Sequence, residues 1–223
     1  GLGWSTAQCL AGLGATVAIN GRDPQAVAAR CAEIAAAGGK AHAAAFDVTD
    51  EAAMSAAVEE IVTATGSLDI LVANAAVWLV KLLEDTSSDE LMASLDTKLR
   101  SAFLAARQAV PHMKQRRWGR IVLISGLSVA ASSGASPADT AGQGAMVALA
   151  KALSARLGPH GITCNAVAPG YIRSDMSENL QNDQAFNTWL TDRTPARRWG
   201  RPEEIGWTVA FLASDAAAYI SGQ

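Results

Sequence analysis

The sequence predicts one α/β domain in which helices cover both faces of a doubly wound parallel sheet. Two observations carry that prediction. Short apolar runs rich in Val and Ile alternate with longer Ala- and Leu-rich stretches of helical period, at the spacing of βαβ units. The central runs also lack the strict apolar/polar alternation of half-exposed strands, so they read as strands buried on both faces.

In chain order, "GLG" (1–3) opens a helix over 3–13, which leads into the strand "ATVAIN" (15–20). A helix over 24–37 is followed by the strand "KAHAAAF" (40–46), and a helix over 50–65 by the strand "LDILVANA" (68–75). A long helix over 88–113 precedes the strand "GRIVLIS" (119–125). The last pair is the helix 138–158, with Met146, Leu149, Leu153 and Leu157 as its apolar stripe, and the strand "GITCNAVA" (161–168). Gly, Asp, Asn or Pro flank the strands, and no linker, repeat or low-complexity run divides the 223 residues. Residues 1–223 therefore form a single domain. Its segment 171–200 is polar, with Trp189 and Trp199 interleaved, and reads as a lid beyond a strand's carboxyl end.

Half the residues are hydrophobic and 17% charged, enough for one large core. A net charge of −3 argues against a nucleic-acid surface. No run approaches a membrane span and nothing resembles a signal peptide, so a cytoplasmic protein is expected. Cys9, Cys31 and Cys164 are far apart, and His42, His112 and His160 have no ligand at metal spacing. No metal site is expected. The short basic stretch "KQRRWGR" (114–120) reads as a solvated turn in preference to an anion site.

Gly1-Leu2-Gly3 before a helix and a strand is the tail of a glycine-rich dinucleotide turn, where backbone approaches a pyrophosphate at a helix N-terminus. It is joined by "NGRD" (20–23), "DVTD" (47–50), "NAA" (74–76) and "APG" (168–170). Together these resemble the short-chain dehydrogenase/reductase family, and the resemblance runs the length of the chain. "INGRDP" leans toward its gluconate 5-dehydrogenase-like members.

The resemblance implies a Rossmann-type fold that binds a nicotinamide dinucleotide and transfers hydride to or from an alcohol or carbonyl. By position it assigns Gly1, Leu2 and Gly3 to the phosphate turn, Asp47 and Val48 to the adenine ring, Asn74, Ala75 and Ala76 to the segment after the third strand, and Pro169, Gly170 and Ile172 to the nicotinamide loop. Arg22 lies where a 2′-phosphate would sit, and Asn20 stands where an acid would bind a free ribose. NADP is therefore favoured over NAD. The resemblance also implies a homo-tetramer or homo-dimer formed through the helices 88–113 and 138–158. It adds a strand before residue 1 and another after residue 223, without which the inner edges of the neighbouring strands would stay unpaired.

The catalytic positions depart from the family pattern. Its Asn, Ser, Tyr and Lys fall on Lys98, Gly126, Asp139 and Gln143. The chain's two tyrosines, Tyr171 and Tyr219, are remote in sequence from the helix 138–158, and neither is followed four residues later by Lys. Ser125, Ser128, Ser132 and Ser133 are nearby hydroxyls, with Ser128 the best substitute for the Ser. Without a phenol drawn down by an ammonium, the usual proton transfer cannot run. Three readings stay open: a scaffold whose redox activity is lost or reduced, altered redox catalysis with Asp139 as acid, or non-redox lyase or isomerase chemistry on Asp139 and Lys98. A nucleotide-binding regulatory subunit is a further alternative.

Overall fold

Residues 1–131 and 136–223 are described in the computed structural model; Ser132 and Ser133 lie outside them. The elements follow the predicted order. They are α1 (Leu2–Gly12), β1 (Thr16–Gly21), α2 (Pro24–Ala36), β2 (Lys40–Ala45), α3 (Glu51–Thr65), β3 (Ile70–Ala73), α4 (Ser88–Leu95), α5 (Ser101–Arg116), β4 (Gly119–Ile124), α6 (Pro137–Leu157), β5 (Ile162–Val167), α7 (Glu178–Gln181), α8 (Gln184–Arg193) and α9 (Pro202–Leu212).

Local chemistry sets the helix boundaries. Asp23 caps α2 by accepting from the Gln25 and Ala26 amides, and Pro24 at the first position matches the backbone a helix start needs. Asp50 caps α3, which ends at Gly66 in the left-handed region (φ 82°). Ser87 and Glu90 form a capping box on α4. The single helix expected over 88–113 is α4 and α5 joined by a π turn, Asp96–Arg100, and it runs on to Arg116. A one-residue change of helical pitch leaves no mark in a hydrophobic pattern, which is why the sequence does not reveal it.

β1 pairs with β2, and β3, β4 and β5 pair in that order, all parallel. Among the described residues no ladder joins β1 to β3, so the two groups form separate sheets. One apolar cluster bridges them. Cys9 and Leu10 of α1 and Ala210 and Ala213 of the α9 end pack against Val17 of β1 and against Ile70 and Val72 of β3. The main core lies on the other face of β4 and β5, where Ile121, Leu123, Ile162 and Cys164 meet Ala102, Ala106, Ala109 and Met113 of α5 and Met146 and Ala150 of α6.

β4 is buried along nearly its whole length, as its unalternating sequence predicts, and β5 is close to it. The same expectation fails for β2, which is mostly exposed or half-buried, and for β3, which is half-buried throughout, because both lie at the edges of their sheets. Beside β5 the chain's last residues make backbone hydrogen bonds, Gly222 N to Cys164 O at 2.8 Å and Ala166 N to Gln223 O at 2.7 Å. Among the described residues no helix is long and apolar enough to cross a membrane.

Candidate active site and nucleotide crevice

The loops that leave the carboxyl ends of β3, β4 and β5 carry Asn74, Gly126 and Pro169, so the sheet brings distant sequence motifs to one edge. In doubly wound sheets that edge holds the ligand crevice. α1 begins at the same end. No side chain caps its first turn, so the N–H groups at its start stay available. A Cβ on Gly3 would lie 2.8 Å from Asn74 Nδ2, so glycine is what lets the helix start and the loop after β3 come together. Leu2 is the first helical residue, and Ala75 and Ala76 follow Asn74 in that loop.

At the end of β1, Asn20 Nδ2 donates to the carbonyls of Ala44 (2.9 Å) and Phe46 (3.1 Å), tying β1 to the end of β2 and the residue after it. Sequence reasoning missed this role, and an amide facing a neighbouring strand's carbonyls is its only signal. Arg22 is exposed and makes no side-chain bond among the described residues. It lines a hollow of ≈ 370 Å³ with Asn20, Asp23 and Arg30. Arg30 is held by Glu33 at 2.9 Å and lies over the Trp4 ring, 4.7 Å from its centroid. Asp47 accepts from Thr49 N (2.9 Å) and Thr49 Oγ1 (2.8 Å), and these bonds, with a smaller contribution from Arg22, hold its carboxyl below the usual range. Val48 is half-buried between them.

The loop after β5 is fixed at both ends. Leu127 N donates to Pro169 O at 2.9 Å, and Gly170 leads into Ile172, which bridges to Gly200. A Cβ on Gly200 would stand 2.3 Å from Ile172 Cδ1, so the Ile172 side chain packs directly over the glycine and would have to turn aside for a larger residue. Within 171–200, the rings of Tyr171, Phe186, Trp189 and Trp199 pack with centroids 5.2–6.0 Å apart. Trp199 Nε1 donates to Asn187 Oδ1 at 2.6 Å. The segment closes on Glu204, whose carboxylate accepts from Arg198 (2.6 Å) and from Arg201 N (2.7 Å); Arg198 above all holds its pKa down to about 2.

Between these loops the four departing positions converge. Lys98, on the π turn, places Nζ 2.5 Å from Asp139 Oδ1, and the two side chains are 2% and 8% exposed. Gln143 Nε2 approaches Asp139 Oδ2 at 3.4 Å, one helical turn along α6. The Gln143 amide also stands over Gly126, where a Cβ would lie 2.9 Å from Nε2 and 3.0 Å from Cδ. Ser125 Oγ donates to the Gln143 carbonyl at 2.9 Å. Among the described residues, Gln143 Oε1 and Ser128 Oγ are buried without a partner.

Asp139 sits in the first turn of α6, where the helix dipole favours a carboxylate. Removing either partner of a buried pair strands the other. The constellation is therefore a closed pair of oppositely charged side chains.

A family model described as Enoyl-(Acyl carrier protein) reductase matches residues 1–223. The gluconate 5-dehydrogenase of Gluconobacter oxydans is 37% identical over the whole of this chain and 87% of its own length. A variant of the Serratia marcescens short-chain dehydrogenase/reductase superposes with a TM-score of 0.91 at 32% identity, over 100% of this chain and 89% of that one. The chain belongs to the short-chain dehydrogenase/reductase family. The structure of a Burkholderia cenocepacia gluconate 5-dehydrogenase in complex with NADP and tartrate is similar to this member as well, with a TM-score of 0.96, 33% identity and coverage of 100% and 88%.

Proposed function

We propose that this protein is an NADP(H)-binding oxidoreductase scaffold whose hydride transfer with alcohols and carbonyls is lost or strongly reduced. One observation carries the reading: the buried Lys98–Asp139 pair, 2.5 Å apart, occupies the positions where the family keeps an Asn and the proton-transferring Tyr. Among the described residues no tyrosine is bonded to it, and by the family resemblance the Lys position holds the neutral amide of Gln143.

The cofactor residues fit a bound dinucleotide. The uncapped start of α1 at Leu2 and Gly3 would hold the pyrophosphate, Arg22 the 2′-phosphate, and Asp47 with Val48 the adenine. Asn74, Ala75, Ala76 and the Pro169–Ile172 loop would flank the nicotinamide, with 171–200 as the lid. The printed NADP of the Burkholderia relative supports the same cofactor. Bound nicotinamide supplies hydride chemistry, while this chain's residues bind and orient it and exclude water.

Non-redox chemistry on Asp139 and Lys98 is supported less. Both Asp139 oxygens face neighbours and the side chain is nearly sealed from solvent. A homo-oligomer formed along α5 and α6 is part of the same reading, and light scattering tests it.

The experiment is a titration with NADPH followed by nicotinamide fluorescence, then turnover assays with alcohol and ketone panels. Saturable binding with no NADPH oxidation above background is the expected outcome. Oxidation at the rates ordinary for enzymes, roughly 1–10³ s⁻¹, would overturn it.

A further inference from the structure

A second hollow lies at the opposite end of the sheet from the nucleotide crevice, around the first residues of β4 and β5. Its volume is ≈ 530 Å³, and Arg117, Trp118, Arg120, Thr163, Asp215 and Tyr219 are among the residues that line it. Arg120 and Thr163 are register partners on adjacent strands, so they stand side by side on one face. That face is the one opposite Ile121 and Cys164, whose side chains fill the main core.

The hollow contains donors that the fold does not use. Thr163 is 7% exposed, and among the described residues its Oγ1 is buried without a partner. Arg120, 3% exposed, gives Nε to Ser214 O (3.2 Å), one Nη1 bond to Gly119 O (3.0 Å) and one Nη2 bond to Asp215 Oδ1 (3.1 Å). A guanidinium has five N–H groups, so one on each terminal nitrogen remains unused. A buried hydroxyl left without a partner is destabilising, and such groups call for an explanation.

The local charges set the sign of a ligand. Asp215 accepts from Arg120 and from Trp118 Nε1 (2.9 Å), which leaves Arg117 as the uncompensated cation. Arg117 is exposed and held in the left-handed region (φ 53°), with one Nη2 bond to Pro159 O at 3.2 Å. The sum over Arg117, Arg120 and Asp215 is +1, which matches a monoanion and not a dianion. Trp118 and the fully exposed Tyr219 add aromatic walls suited to a flat apolar body.

We infer that this hollow is a ligand site for a small planar monocarboxylate, held by Thr163 Oγ1, Arg120 and Arg117. It is independent of the nucleotide crevice and of the reading given for it.

The test titrates the full chain with benzoate, acetate and sulfate by calorimetry, with ¹H–¹⁵N spectra to locate the site. Benzoate should bind saturably, with shifts at the Thr163 and Tyr219 amides and more tightly than acetate or sulfate. Thr163→Val should weaken benzoate about fivefold with its melting temperature unchanged or raised, and Arg117→Ala should weaken it by a similar factor. Three results would overturn the proposal: no saturable binding, equal affinity for all three anions, or benzoate binding that neither substitution alters.

Discussion

Lys98 Nζ lies 2.5 Å from Asp139 Oδ1, with both side chains out of reach of solvent, and this pair joins the π turn between α4 and α5 to the first turn of α6. It connects the helical segments that carry Lys98, Asp139 and Gln143. The site is therefore closed by a bond that also holds the fold together.

Single removal of either partner should destabilise the protein. Lys98→Met leaves Asp139 buried and unpaired, and Asp139→Leu leaves Lys98 so; each should cost about 3–5 kcal/mol. The double variant should recover most of that loss, because apolar residues of similar volume leave no charge stranded. Urea unfolding of the four proteins measures the cycle. Additive losses would mean that the two side chains do not form a pair in solution.

Rebuilding the family pattern should create turnover only when done as a set. Asp139→Tyr alone removes the partner of Lys98 and still lacks an ammonium beside the phenol. Gly126→Ser alone forces the Gln143 amide to swing away, since a Cβ there lies 2.9 Å from Nε2. The fourfold change Lys98→Asn, Gly126→Ser, Asp139→Tyr and Gln143→Lys should gain NADPH-dependent carbonyl reduction by at least about 10²-fold over the native chain, the lower end of what a positioned acid–base group contributes. Stopped-flow or steady-state loss of NADPH absorbance measures it. Full activity from Asp139→Tyr alone would show that Gln143 and Gly126 are not the limiting positions.

Arg22 should set the cofactor preference. It is the one side chain in its hollow that is cationic and without a bond among the described residues, whereas Arg30 is occupied by Glu33 and stacked on Trp4. Arg22→Ala should weaken NADPH about tenfold or more and leave NADH nearly unchanged, as expected for one lost charge-assisted contact to phosphate. Fluorescence titration with both cofactors separates this from general damage, which would weaken the two alike.

Much of the architecture was legible because parallel, doubly buried strands leave unalternating Val/Ile runs between helical stretches. Lys98, Gly126, Asp139 and Gln143 were singled out through the family resemblance alone, and the structure brings the four together. Their bonding was not. Nothing in the order of residues says that Lys98 reaches Asp139 across 41 positions, because that depends on how a π turn rotates one side chain. Asn20 was read as a missing acid, yet its amide holds one carbonyl within β2 and one just beyond it. The basic stretch 114–120 read as solvated, and the structure buries Arg120 almost completely under Trp118 and Asp215. Long-range pairing of this kind has no local signature.

Acid should loosen the segment 198–204 before the rest of the molecule. The Arg198 and Arg201 contacts lower the Glu204 carboxyl to about 2, well under the value near 4.3 of an unfolded chain. A depressed folded value means that the carboxylate contributes stability above the unfolded pKa and loses it as pH falls from there toward about 2. Glu204 is half-exposed at the surface, so the global effect is small and screened by salt. The local effect is readable, because the same carboxylate anchors Arg198 beside Trp199, which is 4% exposed and bonded to Asn187. Amide exchange at residues 198–204 should quicken between roughly pH 4.3 and 2 relative to α6 after correction for intrinsic rates. Glu204→Gln should show the faster exchange already at neutral pH. Protection that stays constant over that range in the native chain would show that the Glu204 contacts do not hold this segment in solution.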